Sequence, residues 1–101
     1  MDKKDLSYLE QLVLESIPTE PCGKHHKEIA NSLSLGYYEV RKIIKNLRNM
    51  GYPICSNPHE GYWMARDERE LLEVISMLQS YITSMQNTVD ALLETLLFKR
   101  G

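Results

Sequence analysis

Apolar residues recur along the first half of the chain at helical spacing. Leu6, Leu9, Val13 and Ile17 stand three or four residues apart, with Leu12 and Leu14 widening the stripe, which predicts a helix over about residues 6–17. Ser7 has Glu10 three residues on, the spacing of a capping box, and Asp5 is the other candidate cap. Pro18 ends the helix, because the residue before a proline is driven out of the α region. Residues 18–23 read as a connector. A second helix over about 24–33 turns Ile29, Ala30 and Leu33 inward, and Ser34-Leu35 breaks it. A third, over about 37–50, carries Val40, Ile43, Ile44, Leu47 and Met50 on one side. Gly51 stands where a left-handed C-terminal residue is wanted.

The pattern then changes. Residues 52–55 and 62–65 are short β-prone runs around a turn-rich segment, which predicts a hairpin with a loop of about six residues and one of Tyr62 and Trp63 in the core. Asp67 opens a long helix, with Glu70 three residues on, and neither Pro nor Gly interrupts it before Phe98. Along it Leu71, Ile75, Leu78, Ile82, Met85, Val89, Leu92 and Leu96 alternate at spacings of four and three. Ile75, Ile82, Val89 and Leu96 are the a positions of this heptad, and Leu71, Leu78, Met85 and Leu92 the d positions. β-Branched residues at a with Leu at d favour a parallel two-stranded coil. The flanking e and g positions are uncharged, and Leu93, Leu97 and Phe98 widen the apolar surface, which suits a higher oligomer or an antiparallel pair. At about 1.5 Å per residue, residues 71–98 make a helix of roughly 42 Å, longer than a small domain covers. It reads as a homodimerisation or higher homo-oligomerisation helix; folding back onto its own domain is the competing reading.

The chain is therefore expected to be α+β, mainly helical with a small hairpin, divided into residues 1–66 and 67–101. Charge supports the division: residues 1–66 carry net +1 and residues 67–101 net −3, within a total of −2. With 101 residues and 26% charged, the chain fits one small globular domain plus an appendage. No apolar run approaches a membrane span, and no signal peptide follows Met1, so a cytoplasmic protein without a membrane partner is expected.

The string Lys27 to Arg41 resembles a helix-turn-helix. Ala30, Leu33, Ser34, Leu35, Gly36 and Val40 fall on that motif's small, apolar, turn and cap positions. Leu47 to Ile54, followed by Gly61-Tyr62-Trp63, resembles the wing of winged helix-turn-helix domains, the biotin-repressor type in particular, an arrangement that small phage and prokaryotic regulators also use. The resemblance covers about residues 5–66. Ser34 departs from the commoner Gly, and Gly36 from the commoner Ser or Thr cap, a change of only a few tenths of a kcal/mol.

The resemblance implies double-stranded DNA as partner and the third helix as the reading element. Recognition helices meet base edges with their N-terminal residues, which nominates Tyr37, Tyr38 and Arg41. Arginine suits guanine O6 and N7 bidentately. Lys42 and Lys45 are assigned to phosphates, as are Lys24 and Lys27 at the start of the second helix, where free N–H groups favour an anion. At the wing tip Asn57 and His59 are candidates, opposed by Glu60. The plainer reading of Arg48, His25 and His26 is ordinary exposed polar surface.

Cys22 with His25 and Cys55 with His59 have zinc-like spacing, but neither pair is a paired-cysteine knuckle, and no metal is expected. No nucleophile–base pair, Gly-rich phosphate loop or carboxylate dyad stands out. The expectation is therefore a non-enzyme without cofactor or small-molecule ligand: a dimeric or higher-oligomeric transcriptional regulator. The alternative is an adaptor whose winged domain binds protein, for example in a DNA replication complex, an option that the near-neutral charge keeps open.

Overall fold

The computed structural model describes residues 6–100, with side chains through Leu97. The element order is α1 (Tyr8–Ser16), α2 (His26–Leu33), α3 (Tyr37–Asn49), β1 (Ile54–Asn57), β2 (Gly61–Met64) and α4 (Glu68–Arg100), an α+β arrangement dominated by helix. The chain divides into two compact units, the first ending at Leu71 and the second beginning at Leu72.

Local chemistry sets the helix bounds. Ser7 Oγ accepts from the Glu10 N–H at 3.1 Å while the Glu10 carboxylate accepts from the Ser7 N–H at 2.9 Å, closing the capping box before α1. Asp5, the other candidate cap, lies outside the described residues. Ile17, extended ahead of Pro18, stops α1. Val13 and Ile17 are buried, but Leu9 is exposed, so the inward stripe is narrower than predicted. Between α2 and α3, Ser34 takes the left-handed conformation at φ 55° and ψ 40°, and the Leu35 N–H bonds the Ala30 carbonyl at 2.9 Å. A side chain there costs about 1–2 kcal/mol. At the end of α3, Gly51 (φ 102°) donates to the Arg48 carbonyl and Tyr52 to the Leu47 carbonyl, a Schellman closure.

The three helices meet on Val13, Ile17, Ile29, Ala30, Val40, Ile44 and Leu47, which together with Ile54 form the buried core. Ala30 is fully buried, and a larger side chain would separate α2 from its neighbours. Leu33, Leu35 and Ile43 pack on this core while partly exposed.

β1 and β2 pair antiparallel, with Cys55 opposite Trp63 and Asn57 opposite Gly61. The pairing of Ser56 and Asn57 shortens the expected six-residue loop to residues 58–60. Asn57 Oδ1 makes this turn possible by accepting from the N–H groups of His59 (3.0 Å) and Glu60 (2.6 Å). Trp63 is buried and Tyr62 half-buried. The connector runs beside β2: Met64 donates to the Pro18 carbonyl (2.8 Å), Tyr62 to that of Lys24 (3.0 Å), and Gly23 to that of Glu60 (2.9 Å). Gly61 is required twice over. Its φ is +74°, and a Cβ there would stand 2.3 Å from the Lys24 carbonyl oxygen.

Asp67 caps α4 by accepting from the Glu70 N–H at 2.9 Å. The Glu70 side chain is buried and reaches back to the N–H and guanidinium of Arg66. Those hydrogen bonds hold its carboxyl down to about 2.

Candidate nucleic-acid interface

Burial fixes which side of α3 is available. Val40, Ile44 and Leu47 are buried, so the residues offset from them face solvent. Tyr37, Tyr38, Arg41, Lys42 and Lys45 are all exposed, along with Asn46 and Asn49. Tyr38 is 79% exposed and Tyr37 47%. All five residues nominated on this helix therefore share its free surface, with Glu39 as the one acidic side chain there.

Arg48 is not ordinary exposed surface. It is half-buried, its Nε donates to the Ile54 carbonyl at 2.9 Å, and its Nη2 donates to Ser56 Oγ at 3.0 Å. It fastens β1 to α3. Burial lowers its pKa, and the neighbouring Tyr62 and Cys55 act in the opposite direction. The Tyr62 phenol pKa is raised by burial and pulled back by Arg48 and Arg41. The hairpin thus lies alongside the basic edge of α3. No local pattern signals this, because Arg48 and Tyr62 are far apart in the chain and only the packing of the hairpin joins them.

The start of α2 adjoins the start of α3. The Lys27 Nζ lies 6.0 Å from the Tyr37 ring centroid, and the His26 ring meets Tyr37 edge-on at 5.8 Å. Lys27 is exposed; Lys24 is half-buried, its backbone bridged to β2. The first turn of α2 is already occupied by a carboxylate, since Glu28 accepts from the His25 N–H at 2.6 Å. The backbone N–H groups of His25 and Glu28 lower the Glu28 pKa. A phosphate here would meet lysine side chains more readily than that N–H.

At the wing tip His59 is exposed, whereas Asn57 is half-buried with its side-chain oxygen committed to the turn. His25 ties this turn to α2. Its Nδ1 lies 2.6 Å from the Gly23 carbonyl oxygen and its Nε2 3.0 Å from that of Pro58. Those contacts, and the burial of Cys55 with its Sγ against the Glu70 carbonyl at 3.6 Å, occupy two of the four residues with zinc-like spacing. Among the described residues no group of three or more His, Cys, Asp and Glu is placed to hold a metal ion. Among them, too, no helix is long and apolar enough to cross a membrane.

Along α4 the heptad residues Ile75, Ile82, Met85, Val89, Leu92 and Leu96 are exposed, and Leu71 and Leu78 are half-buried. Leu93 and Leu97 are also exposed; the side chain of Phe98 lies outside the described residues. Comparison with protein-family models, with characterised proteins and with solved structures finds no match to this chain.

Proposed function

We propose that this chain is a winged helix-turn-helix protein that binds double-stranded DNA sequence-specifically and regulates transcription as a dimer. The observation that carries the reading is the two-sidedness of α3. One side is locked into the core by Val40, Ile44 and Leu47, and the other offers Tyr37, Tyr38, Arg41, Lys42 and Lys45 to solvent. An amphipathic helix with a basic, aromatic free side, flanked by a hairpin, suits the major groove. Arg41 reads a base, Lys42 and Lys45 bind phosphates, and Lys27 and Lys24 extend the backbone footprint from α2. His59 is the better-placed wing residue, because Asn57 serves the turn. Pairing through the a and d positions of α4 joins two such surfaces.

A mobility-shift titration on pooled random duplexes, repeated across salt concentrations, tests the reading. Selection of a consensus, with log affinity falling linearly against log salt, supports it. Failure to retain any duplex at low salt removes DNA as the partner. That outcome favours the adaptor, for which the net charge of only +1 over residues 1–66 speaks.

A further inference from the structure

We infer that Arg48, Ser56 and Tyr62, where the hairpin meets α3, form a binding site for one backbone phosphate of the duplex. This rests on the DNA reading above and adds to it a contact made outside the exposed side of α3. Strand alternation brings the three residues together. Ile54 pairs with Met64 and Ser56 with Tyr62, so these four side chains share one face of the hairpin. Ile54 belongs to the core, and Tyr62 and Met64 pack against it, so that face is turned towards the helices. Arg48 reaches the hairpin from α3, its Nε on the Ile54 carbonyl and its Nη2 on Ser56 Oγ. Ser56 and Tyr62, both half-buried, lie at the turn end of that face.

What these groups lack points to an anion. Arg48 is half-buried, yet among the described residues no carboxylate pairs with it, and both of its acceptors are neutral. Charges withdrawn from water are ordinarily paired. The two acceptors leave further guanidinium N–H groups to donate. Ser56 Oγ accepts from Arg48, which leaves its own O–H free to donate, and no described residue hydrogen-bonds the Tyr62 hydroxyl. Burial raises the Tyr62 pKa, and the charged groups that act against that rise are Arg48 and Arg41, with no carboxylate among them. Arg41 stands two turns before Arg48 on the same side of α3 and adds a second positive charge. A guanidinium and two hydroxyls, all donors, match the unesterified oxygens of a phosphodiester. The site flanks the exposed side of α3, so a duplex read by that side brings strand phosphates to the hairpin. Such a contact fixes register and orientation and carries no sequence information of its own.

A phosphate scan with the full chain tests the contact. The probe is a duplex selected from the random pool, carrying a single methylphosphonate at successive positions, titrated with wild type and with Tyr62→Phe. Phenylalanine keeps the ring that packs on the core and removes only the hydroxyl. Tyr62→Phe should bind the unmodified duplex about tenfold more weakly, and other sequences in the same proportion. At one phosphate position the methylphosphonate should cost wild type about tenfold and the variant much less, because the variant has already lost that contact. Equal penalties in both proteins at every position overturn this site and leave the DNA reading standing. Retention of no duplex by wild type overturns both, even where inorganic phosphate still shifts the Tyr62 ring resonances, since the site then takes a free anion. Arg48→Gln supplies a second measurement: the slope of log affinity against log salt should become shallower by about 0.9. An unchanged slope, with the helical circular dichroism intact, also overturns the site. Should loss of the Arg48 clamp unfold the hairpin, the comparison of Tyr62→Phe with wild type decides alone.

Discussion

Val13, Ile29, Val40 and Leu47 in the first unit are completely buried, whereas Ile82, Met85, Val89 and Leu92 on α4 are 61%, 61%, 48% and 65% exposed. The residue types are similar and the periodicity on α4 is the stricter of the two. The difference lies in what the chain supplies. Three short helices and a hairpin bring apolar faces from four directions onto one centre. On α4 the stripe runs along a single helix that continues to Arg100. Burying each such side chain is worth about 1.5–3 kcal/mol. The first unit realises that gain within one chain, at any concentration. On the dimer reading α4 realises it only by association, so its contribution depends on protein concentration.

The largest expected effect breaks the contrast from the α4 side. Ile82→Asp places a charge in mid-seam, where burying an unpaired ion is prohibitive. It should dissociate the oligomer while the first unit keeps its fold, and DNA affinity should fall about 100-fold or more as two linked contacts become independent. Sedimentation and mobility shift on one preparation check both. From the other side, Leu47→Ala should cost about 2–5 kcal/mol of stability in urea and leave the association constant unchanged. Coupled losses of stability and association in that variant would contradict the separation of the two roles.

Smaller effects sharpen the contrast within the first unit. Gly61→Ala forces a Cβ towards the Lys24 carbonyl at an unfavourable φ. It should cost about 1–3 kcal/mol, and hydrogen exchange should show the Tyr62 amide losing protection first. Arg41→Ala should reduce discrimination at one base pair by about 1–3 kcal/mol in competition binding. The mildest is a pH effect. Glu70 is depressed from 4.5 to about 2 in the fold. Its stabilisation is therefore full above pH 4.5 and is lost as pH falls from there towards 2. Glu70→Gln should flatten the pH dependence of the denaturation midpoint across that window.

The elements were largely legible. The 3.6-residue periodicity of the three short helices, the Ser7–Glu10 box, Pro18 and Gly51 all act on neighbours within a turn, so their effects follow from spacing alone. The exposed side of α3 was legible for the same reason: identifying Val40, Ile44 and Leu47 as inward leaves Tyr37, Tyr38, Arg41, Lys42 and Lys45 outward. The heptad on α4 is likewise a property of the sequence.

Only the tertiary structure decided what depends on residues distant along the chain. Arg48 fits an outward helix position by spacing, yet the placement of β1 turns it into a clamp on Ile54 and Ser56. Asn57 has the composition of a wing-tip contact, yet a turn of three residues takes its side-chain oxygen. His25 looks like surface until the hairpin brings the Pro58 carbonyl to its ring. Glu70 is a cap residue by position, but hydrogen bonds from the guanidinium and N–H of Arg66 lower its pKa, and the start of α4 belongs to the first unit. Periodicity assigns a residue to a side of its own element. Which polar atoms lie opposite that side is set by how elements distant in the chain pack, and no local spacing encodes that.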